Sequence, residues 1–393
     1  MWAILVRTIL PHAGPLPVAA PLAKGEGELS ADGLERRTMA LVHGPTAQFP
    51  NMRTGLEPYP KQRSALAVLS MIGRTPLVPL HFEREKRTIF AKAEYLNPSG
   101  SVKDRFARAV LLDAEARGEL RSDSVILECS SGNTGISLAM TGAAMGYPVT
   151  ILMSSTASEE RRRLIRQLGA ELILFESGGM YQTGIELSRR MAERDSRYFL
   201  PRQFENTLNV KDHEETTGQE IIEQAGGPIS VFVHGFGTGG TLAGCGWALK
   251  KRWPAARVIA MEPAEQALLA GECPCCHFIE GVADGFIPAL LQGAPIDERT
   301  EVTSAEAVEM TRRLHREFGL LVGTSSGANV AAALRAAKGL GPADKVVTLL
   351  ADRAERYFST PLFQMIGNEE APGQVESLNC ARRPQWRAGT AYG

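Results

Sequence analysis

The sequence predicts an α/β protein with two mainly parallel, twisted sheets, each flanked by helices. From about residue 72 onward, strand-like and helix-like segments alternate, which is the pattern of parallel strands joined by covering helices. A length of 393 residues suffices for two or three domains with cores of their own. The predicted strands fall into two groups, first 124–128, 149–153 and 171–175, then 229–234, 258–262 and 345–350.

The segments between these strands are predicted helices. The segment 135–146 is rich in alanine and glycine, so we expect it to pack closely against its neighbours. The helix 158–168 carries four arginines, at 161–163 and 166, beside Glu159 and Glu160. We interpret these charges as a solvated face rather than a binding patch. Further helices are predicted at 183–194, 241–252, 304–318 and 327–337.

The two ends of the chain differ from this pattern. Residues 1–65 are rich in proline and glycine without a sustained hydrophobic period, which indicates a poorly ordered N-terminal extension. The opening apolar stretch is interrupted by Arg7 and followed by prolines, so it makes a poor signal peptide. Residues 368–393 are polar and irregular, and we expect a flexible tail.

Composition excludes several classes of function. A net charge of −1 gives no broad attraction to nucleic acid or to a membrane surface. No apolar run reaches the roughly 18 residues of a membrane-spanning helix. Six cysteines in a chain of this length do not form a disulfide framework, which favours a reducing cytoplasm.

The first candidate for chemistry is Lys103. A short strand at 88–93 leads to a turn at 97–100, and a helix opens near Ser101, so Lys103 lies in its first turn. Positive potential at a helix start disfavours an ammonium ion, which lowers the lysine pKa and favours the neutral amine that attacks carbonyls. A lone lysine is more often a surface residue, so this assignment depends on the rest of the chain.

Two glycine-rich loops supply that context. The loop 130–135, SSGNTG, lies between a strand end and a helix start, where backbone N–H groups and the helix dipole select an anion. The loop 235–241, GFGTGGT, is a second anion-binding loop of the same kind. In a third segment, 323–328, Ser325 could also serve as a helix cap.

The loop 235–241 is ambiguous when it is considered alone. Its glycines fit G-x-G-x-x-G, and Glu262 ends the next strand, as in a dinucleotide-binding unit. An NAD-dependent oxidoreductase is therefore a distant alternative. It leaves Lys103 and the loop 130–135 unexplained, whereas an aldehyde cofactor with a phosphate group uses all three features.

Four motifs together resemble the cysteine synthase (O-acetylserine sulfhydrylase) and cystathionine β-synthase family. They are NPSGSVKDR around Lys103, SSGNTG at 130–135, GTGGT at 237–241 and GTSSGA at 323–328. The match runs from about residue 72 to residue 363 in family-like order. The resemblance implies a fold-type II pyridoxal phosphate (PLP) enzyme, similar to tryptophan synthase β, and a homodimer.

The resemblance also implies a domain division and roles for residues. A smaller substrate-binding domain would span 97–206, and a larger PLP-binding domain would combine 66–96 with 207–367. Lys103 would carry PLP as a Schiff base and act as the catalytic base. Asn133 would contact the ring oxygen, and Ser325 the pyridine nitrogen. The implied phosphate contacts are Gly237, Thr238, Gly239, Gly240 and Thr241, and the implied substrate contacts are Ser130, Ser131, Gly132, Asn133, Thr134 and Gln203.

The implied reaction is a β-replacement. O-acetyl-L-serine and sulfide would give L-cysteine and acetate through an aminoacrylate intermediate. Cystathionine formation, or replacement with another nucleophile, is the alternative, because Asp284 stands where the synthases often have a small residue. A dehydratase fits the SGNTG loop less well, and a binding-only homologue would not need every motif residue.

The run Cys273-Pro-Cys275-Cys276-His277 precedes the segment that resembles the family's active-site loop. Thiols and an imidazole this close could bind zinc, act as a redox pair or belong to an ordinary loop. No partner C-x-x-C occurs elsewhere in the sequence, so we expect no metal site.

Overall fold

The structure, a computed structural model, describes residues 65–176, 181–271 and 277–364. The predicted N-terminal extension, except for its last residue, and the predicted tail at 368–393 lie outside the described residues. Cys273, Cys275 and Cys276 also lie outside them, so the interpretations of that cysteine run stay predictions. The predicted α/β class with two mainly parallel sheets is confirmed.

Within the described residues, six strands form the larger sheet in the order β1-β2-β10-β7-β8-β9. The edge strand β1 pairs antiparallel with β2, and every other neighbouring pair in this sheet is parallel. The strands are β1 Leu77–Phe82, β2 Arg87–Lys92, β7 Val231–Gly235, β8 Arg257–Pro263, β9 Glu298–Val302 and β10 Val346–Leu349.

A smaller sheet of four parallel strands has the order β5-β4-β3-β6. Every residue of β3 is buried, as expected for a parallel strand covered on both faces. The strands are β3 Val125–Cys129, β4 Val149–Ser154, β5 Glu171–Phe175 and β6 Tyr198–Phe199.

Helices occur at the predicted places, and three further helices, at 208–212, 218–224 and 361–364, were not predicted. A 3₁₀ turn at Ala65–Met71 precedes β1, and a π-helical stretch at His213–Thr217 joins α5 to α6. The helices are α1 Lys103–Ala116, α2 Asn133–Met145, α3 Glu159–Gln167, α4 Tyr181–Arg194, α5 Leu208–Asp212, α6 Gly218–Gln224, α7 Gly240–Arg252, α8 Ser304–Phe318, α9 Thr324–Ala336 and α10 Pro361–Gln364.

The helix α2 packs as closely as its small residues predict. Nearly all of its residues are buried. A Cβ atom built on Gly142 would lie 2.3 Å from Cγ2 of Val149 in β4, so only glycine permits this approach. Both sheets belong to one compact unit of the chain. The predicted boundaries between a smaller and a larger domain stay a prediction.

A buried ionic cluster fixes the start of α1 against the larger sheet. Arg105 is fully buried and donates from Nε to Glu94 at 2.7 Å and from Nη2 to Glu220 at 2.8 Å. Lys92 at the end of β2 pairs with the same Glu220 at 2.7 Å. Burial alone would raise the pKa of Glu94, but the charge and hydrogen bonds of Arg105 hold it below its usual value. The cluster therefore holds ionised groups that orient α1.

No helix in residues 65–176, 181–271 or 277–364 is both long and apolar enough to cross a bilayer.

Candidate active site

Lys103 lies in the first turn of its helix, as predicted, although α1 begins at Lys103 itself rather than near Ser101. Its side chain lines two adjoining spaces, which also have Asn133, Gly237, Thr238 and Gly281 in common. Burial lowers the pKa of Lys103, and the negative charges of Asp284 and Asp352 oppose that shift. The predicted direction is confirmed, although burial rather than the helix start is the main cause.

The first space is a cradle at the start of α7. It is lined by Lys103, Asn133, Ser325 and most of the loop 235–241. Gly239 precedes α7 at φ +86°, and no side chain caps this helix. Backbone N–H groups at such a helix start bind phosphate well, because they point outward along the positive end of the dipole.

Neighbouring side chains hold this loop in shape. Asn209 donates to Thr238 Oγ1 at 3.1 Å, and a Cβ atom on Gly240 would lie 2.2 Å from Asn209 Oδ1. Thr241 Oγ1 lies 3.1 Å from Nε2 of His213. Burial lowers the pKa of His213 well below its usual value, so the imidazole beside the cradle is neutral.

Ser325 lies in the first turn of α9, is buried and lines the cradle. The interpretation of Ser325 as a helix cap is wrong. Gly323 occupies the cap position and no side chain caps the helix. Ser326 Oγ instead accepts a hydrogen bond from the backbone of Ala351 at 2.9 Å.

The second space lies over the loop 130–135. Ser130 Oγ accepts hydrogen bonds from the backbone N–H of Gly132 at 3.1 Å and of Gly135 at 2.9 Å, which shapes the turn into α2. Thr134 Oγ1 donates to Gln203 Oε1 at 2.6 Å, and Gln203 Nε2 donates to the Cys129 carbonyl at 2.8 Å. Of the predicted substrate contacts, Ser130, Ser131, Asn133, Thr134 and Gln203 line this space, whereas Gly132 does not.

Three residues around Asn133 were not found from the sequence. Asn133 Nδ2 donates to Asp352 Oδ2 at 2.6 Å, and its Oδ1 accepts from Arg356. Tyr357 donates its hydroxyl hydrogen to the same Asp352 oxygen. All three residues follow β10 by only a few positions. Polar side chains just beyond the end of a buried parallel strand are the feature of the sequence that could have identified them as site residues.

Arg161 corrects the interpretation of the arginines in α3 as a solvated face. Arg163 and Arg166 are exposed, but Arg161 is only 4% exposed and lines the second space. It pairs with Glu280 at 3.0 Å and lies over the Tyr357 ring, 4.8 Å from its centroid.

Arg161 also passes close to the loop 130–135. A Cβ atom on Gly132 would lie 2.4 Å from Arg161 Cδ. The sequence contained one indication that Arg161 is buried, namely its spacing from Ile165. Residues four apart share one face of a helix, and Ile165 is the other buried residue of α3.

Asp284 also lines the second space, together with residues of the loop 130–135. Burial raises the pKa of Asp284 to about 6, while the positive charge of Lys103 opposes that rise. Tyr181, which the sequence did not single out, lines the same space and donates to the Cys129 carbonyl at 2.8 Å.

Two alternatives from the sequence can be compared with this geometry. Glu262, the acid of the dinucleotide interpretation, accepts a hydrogen bond from the Leu269 backbone at 2.8 Å and does not line the cradle. His277 Nδ1 accepts from the Ile279 backbone at 3.2 Å. Within the described residues, no group of three or more metal-ligating side chains occurs.

The site thus combines a buried amine, an anion cradle at a helix start and a second anion-binding loop. A phosphate-bearing aldehyde fits this donor set, because the start of α7 would hold the phosphate and the amine of Lys103, which lines the same cradle, would react with the aldehyde. These features define a PLP-dependent enzyme. The profile of the Pyridoxal-phosphate dependent enzyme family matches residues 68–352, and the chain belongs to this family.

Individual relatives place the chain among the cysteine synthases and their neighbours. It is 42% identical to a cysteine synthase of Staphylococcus aureus strain Mu50 over 75% of this chain and 96% of that protein. The crystal structure of O-ureido-L-serine synthase superposes with a TM-score of 0.73 and 41% identity, over 78% of this chain and 96% of that one. An O-acetylserine dependent cystathionine β-synthase from Helicobacter pylori gives a TM-score of 0.72 and 36% identity, over 75% and 98%.

Proposed function

We propose that this protein is a PLP-dependent β-replacement enzyme that makes L-cysteine and acetate from O-acetyl-L-serine and sulfide. The observation that carries the proposal is the position of Lys103, between the anion cradle at α7 and the loop at the start of α2. The similarity to a cysteine synthase over most of both chains supports this reaction over others.

The residues of the cradle would hold the cofactor. The backbone of 237–241 would bind the phosphate, Asn133 would contact the ring oxygen, and Ser325 would face the pyridine nitrogen. When bound, PLP supplies an aldehyde carbon for an amine and a ring that withdraws electrons from the α-carbon of an amino acid. A serine hydroxyl does not keep the ring nitrogen protonated as a carboxylate would, which suits elimination at the β-carbon better than transamination.

Lys103 would move the α-proton. Because burial lowers its pKa, its amine is neutral more readily than that of a surface lysine and accepts a proton at Nζ. It holds this proton until the product forms and then returns it to the α-carbon.

The loop 130–135 would bind the substrate carboxylate through backbone N–H groups at the start of α2. Gln203 would support this contact, since it is hydrogen bonded to Thr134 in that loop. Lys103 lines the same space as most of the predicted carboxylate contacts, which supports a role for its amine in moving the α-proton of a bound amino acid.

A different nucleophile is the second candidate function. Asp284 lines the space where the nucleophile would enter, and relatives with other products, O-ureido-L-serine synthase and a cystathionine β-synthase, are similarly close in structure. Replacement with a thiol such as homocysteine, or with another protic nucleophile, would use the same Lys103 and the same carboxylate loop.

The test is a side-by-side assay on the PLP-loaded protein. With O-acetyl-L-serine, we expect acetate release and a change in the visible spectrum, followed by cysteine when sulfide is added. Lys103→Ala abolishes both steps, whereas Lys211→Ala, at an exposed lysine, leaves them intact. Cystathionine from homocysteine without cysteine from sulfide would support the second candidate. Near-normal turnover by Lys103→Ala would overturn the mechanism.

We further propose that the protein forms a homodimer and acts in the cytoplasm. The family resemblance supports the dimer. The two cysteines within the described residues, Cys129 and Cys245, are free thiols, which agrees with a reducing compartment. Sedimentation analysis of the purified protein tests the dimer, and a monomer at micromolar concentration would contradict it.

A further inference from the structure

We propose that Asp352 is a positioning residue for the cofactor and that it acts through the side-chain amide of Asn133. Asp352 and Arg356 fix this amide so that one N–H of Asn133 remains for the ring oxygen of bound PLP. The inference rests on the proposed contact between Asn133 and that oxygen. It goes beyond that contact, because it identifies the residues that set its direction.

The orientation of the Asn133 amide follows from the chemistry of its two partners. Nδ2 donates to Oδ2 of Asp352 at 2.6 Å, and Oδ1 accepts from Nη1 of Arg356. A guanidinium only donates hydrogen bonds, so the amide atom that faces Arg356 is the oxygen. The nitrogen therefore faces Asp352. A flipped amide would place its N–H groups against the guanidinium and its oxygen against the carboxylate.

This arrangement uses one of the two hydrogens on Asn133 Nδ2. Asn133 lines both spaces of the site, together with Lys103. The second hydrogen is therefore available to a ligand that occupies the cradle. An amide that presents N–H rather than C=O favours a ligand oxygen with negative charge, because such hydrogen bonds are the stronger ones. The ring hydroxyl of PLP becomes an oxygen of this kind when it ionises.

The backbone of Asp352 contacts the two other segments that carry proposed cofactor contacts. Its carbonyl accepts from the N–H of Gly323 at 3.1 Å, directly before the helix α9 that contains Ser325. Asp352 also forms an antiparallel bridge with Ser101, two residues before Lys103. A single residue thus joins the start of α1, the start of α9 and, through its side chain, the start of α2.

Two glycines leave room for the side chains that hold the amide. A Cβ atom on Gly323 would lie 2.3 Å from Asp352 Oδ1, and one on Gly100 would lie 2.8 Å from Arg356 Nη2. Arg356 Nη2 donates to the Ser99 carbonyl at 2.7 Å, which links the amide to the turn before α1. Asp352 and Arg356 are only 1% and 3% exposed, so their side chains are held in place by packing.

Burial of the Asp352 carboxylate is unfavourable for folding. Within residues 65–176, 181–271 and 277–364 it has no ion-pair partner, and its Oδ1 has no hydrogen-bond partner. A buried charge in this state destabilises a protein. Burial lowers the pKa of Lys103, and the charge of Asp352 opposes that shift, so the carboxylate acts on the reactive amine as well. These properties are those of a functional group rather than of a residue that only fills space.

The experiment measures PLP affinity by absorbance titration of the cofactor-free protein, without an amino-acid substrate. We expect Asp352→Ala to bind PLP about tenfold more weakly, which is the effect of losing one well-aligned hydrogen bond. The matched control is Asp344→Ala. Asp344 is exposed and lies just before β10, whereas Asp352 lies just after it, so the control retains wild-type affinity.

The conservative variant Asp352→Asn should bind PLP within about threefold of wild type. Tyr357 donates its hydroxyl hydrogen to the same Asp352 oxygen that Asn133 contacts. This bond turns the amide oxygen of the variant toward Tyr357 and Asn133, so the acceptor is retained. A tenfold loss in Asp352→Asn would overturn the proposal, and this variant tests it even if Asp352→Ala does not fold.

Three further measurements separate positioning of Asn133 from a general structural role. A PLP analogue without the ring hydroxyl cannot use the contact, so wild type and Asp352→Ala bind it equally. In an Asn133→Ala background, Asp352→Ala has no further effect on PLP affinity, because its contact partner is absent. In Asp352→Ala alone, the visible band of bound PLP shifts to shorter wavelength, because the ionised ring oxygen has lost a donor.

Several results would overturn the proposal. They are unchanged PLP affinity in Asp352→Ala, an equal loss with the analogue, an undiminished loss in the Asn133→Ala background, or an unchanged visible band. All of these measurements use PLP or its analogue without O-acetyl-L-serine. A failure of the proposed β-replacement appears only in the assay with that substrate, so the two failures are distinguishable.

Discussion

Replacing Arg105 with methionine should destabilise the protein far more than removing the surface arginine just after the end of the same helix. Arg105 is fully buried and makes four hydrogen bonds of 2.7–2.8 Å to Glu94 and Glu220. Without Arg105, the negative charge of the Glu94 carboxylate, which is also fully buried, has lost its partner in the ion pair. Breaking a buried pair in this way costs about 3–5 kcal/mol.

The matched control is Arg117→Met. Arg117 follows the same helix α1, and its side chain is 53% exposed in its 2.7 Å ion pair with Asp113. A surface pair of this kind contributes about 0–1 kcal/mol.

Urea unfolding of the cofactor-free proteins, followed by circular dichroism, measures the difference. We expect a loss of several kcal/mol in the free energy of unfolding for Arg105→Met and less than about 1 kcal/mol for Arg117→Met. Equal losses would refute the view that this cluster holds ionised groups that fix α1.

Two further substitutions test the cradle and the substrate space. Gly240→Ala should weaken PLP binding at least about tenfold in an absorbance titration, because its Cβ would lie 2.2 Å from Asn209 Oδ1 and displace the start of α7; unchanged affinity would contradict this. Arg161→Met removes the 3.0 Å pair with Glu280, so kcat/KM for O-acetyl-L-serine should fall about 10- to 100-fold, while the exposed Arg163→Met retains the wild-type value. Similar values for both variants would show that Arg161 is not part of the site.

Local patterns predicted the elements that carry the proposed chemistry. The turn at 97–100 and the start of α1 at Lys103 follow from a proline and a glycine between a strand and a helix. The loops before α2 and α7 were equally predictable, because glycines cluster where a buried strand gives way to a helix. Each of these features depends on residues only a few positions apart.

Features that depend on distant residues were not predictable. Arg105 meets Glu220 across 115 positions, and Asn133 meets Asp352 across 219. A single sequence contains no signal for such pairs. Arg161 is an intermediate case. Its charge predicted a solvent-exposed side chain, whereas its spacing of four residues from Ile165 predicted a buried one. In the structure, the side chain of Arg161 is buried because α3 packs against the loop 130–135.

The central claim, that Lys103 carries the cofactor, is tested most directly by borohydride reduction of the PLP-loaded protein and peptide mapping. Reduction fixes the pyridoxyl group on the amine that holds it. We predict one labelled peptide, with the label on Lys103, and none in Lys103→Ala. A label on another lysine, or a protein that incorporates no label, would contradict the account.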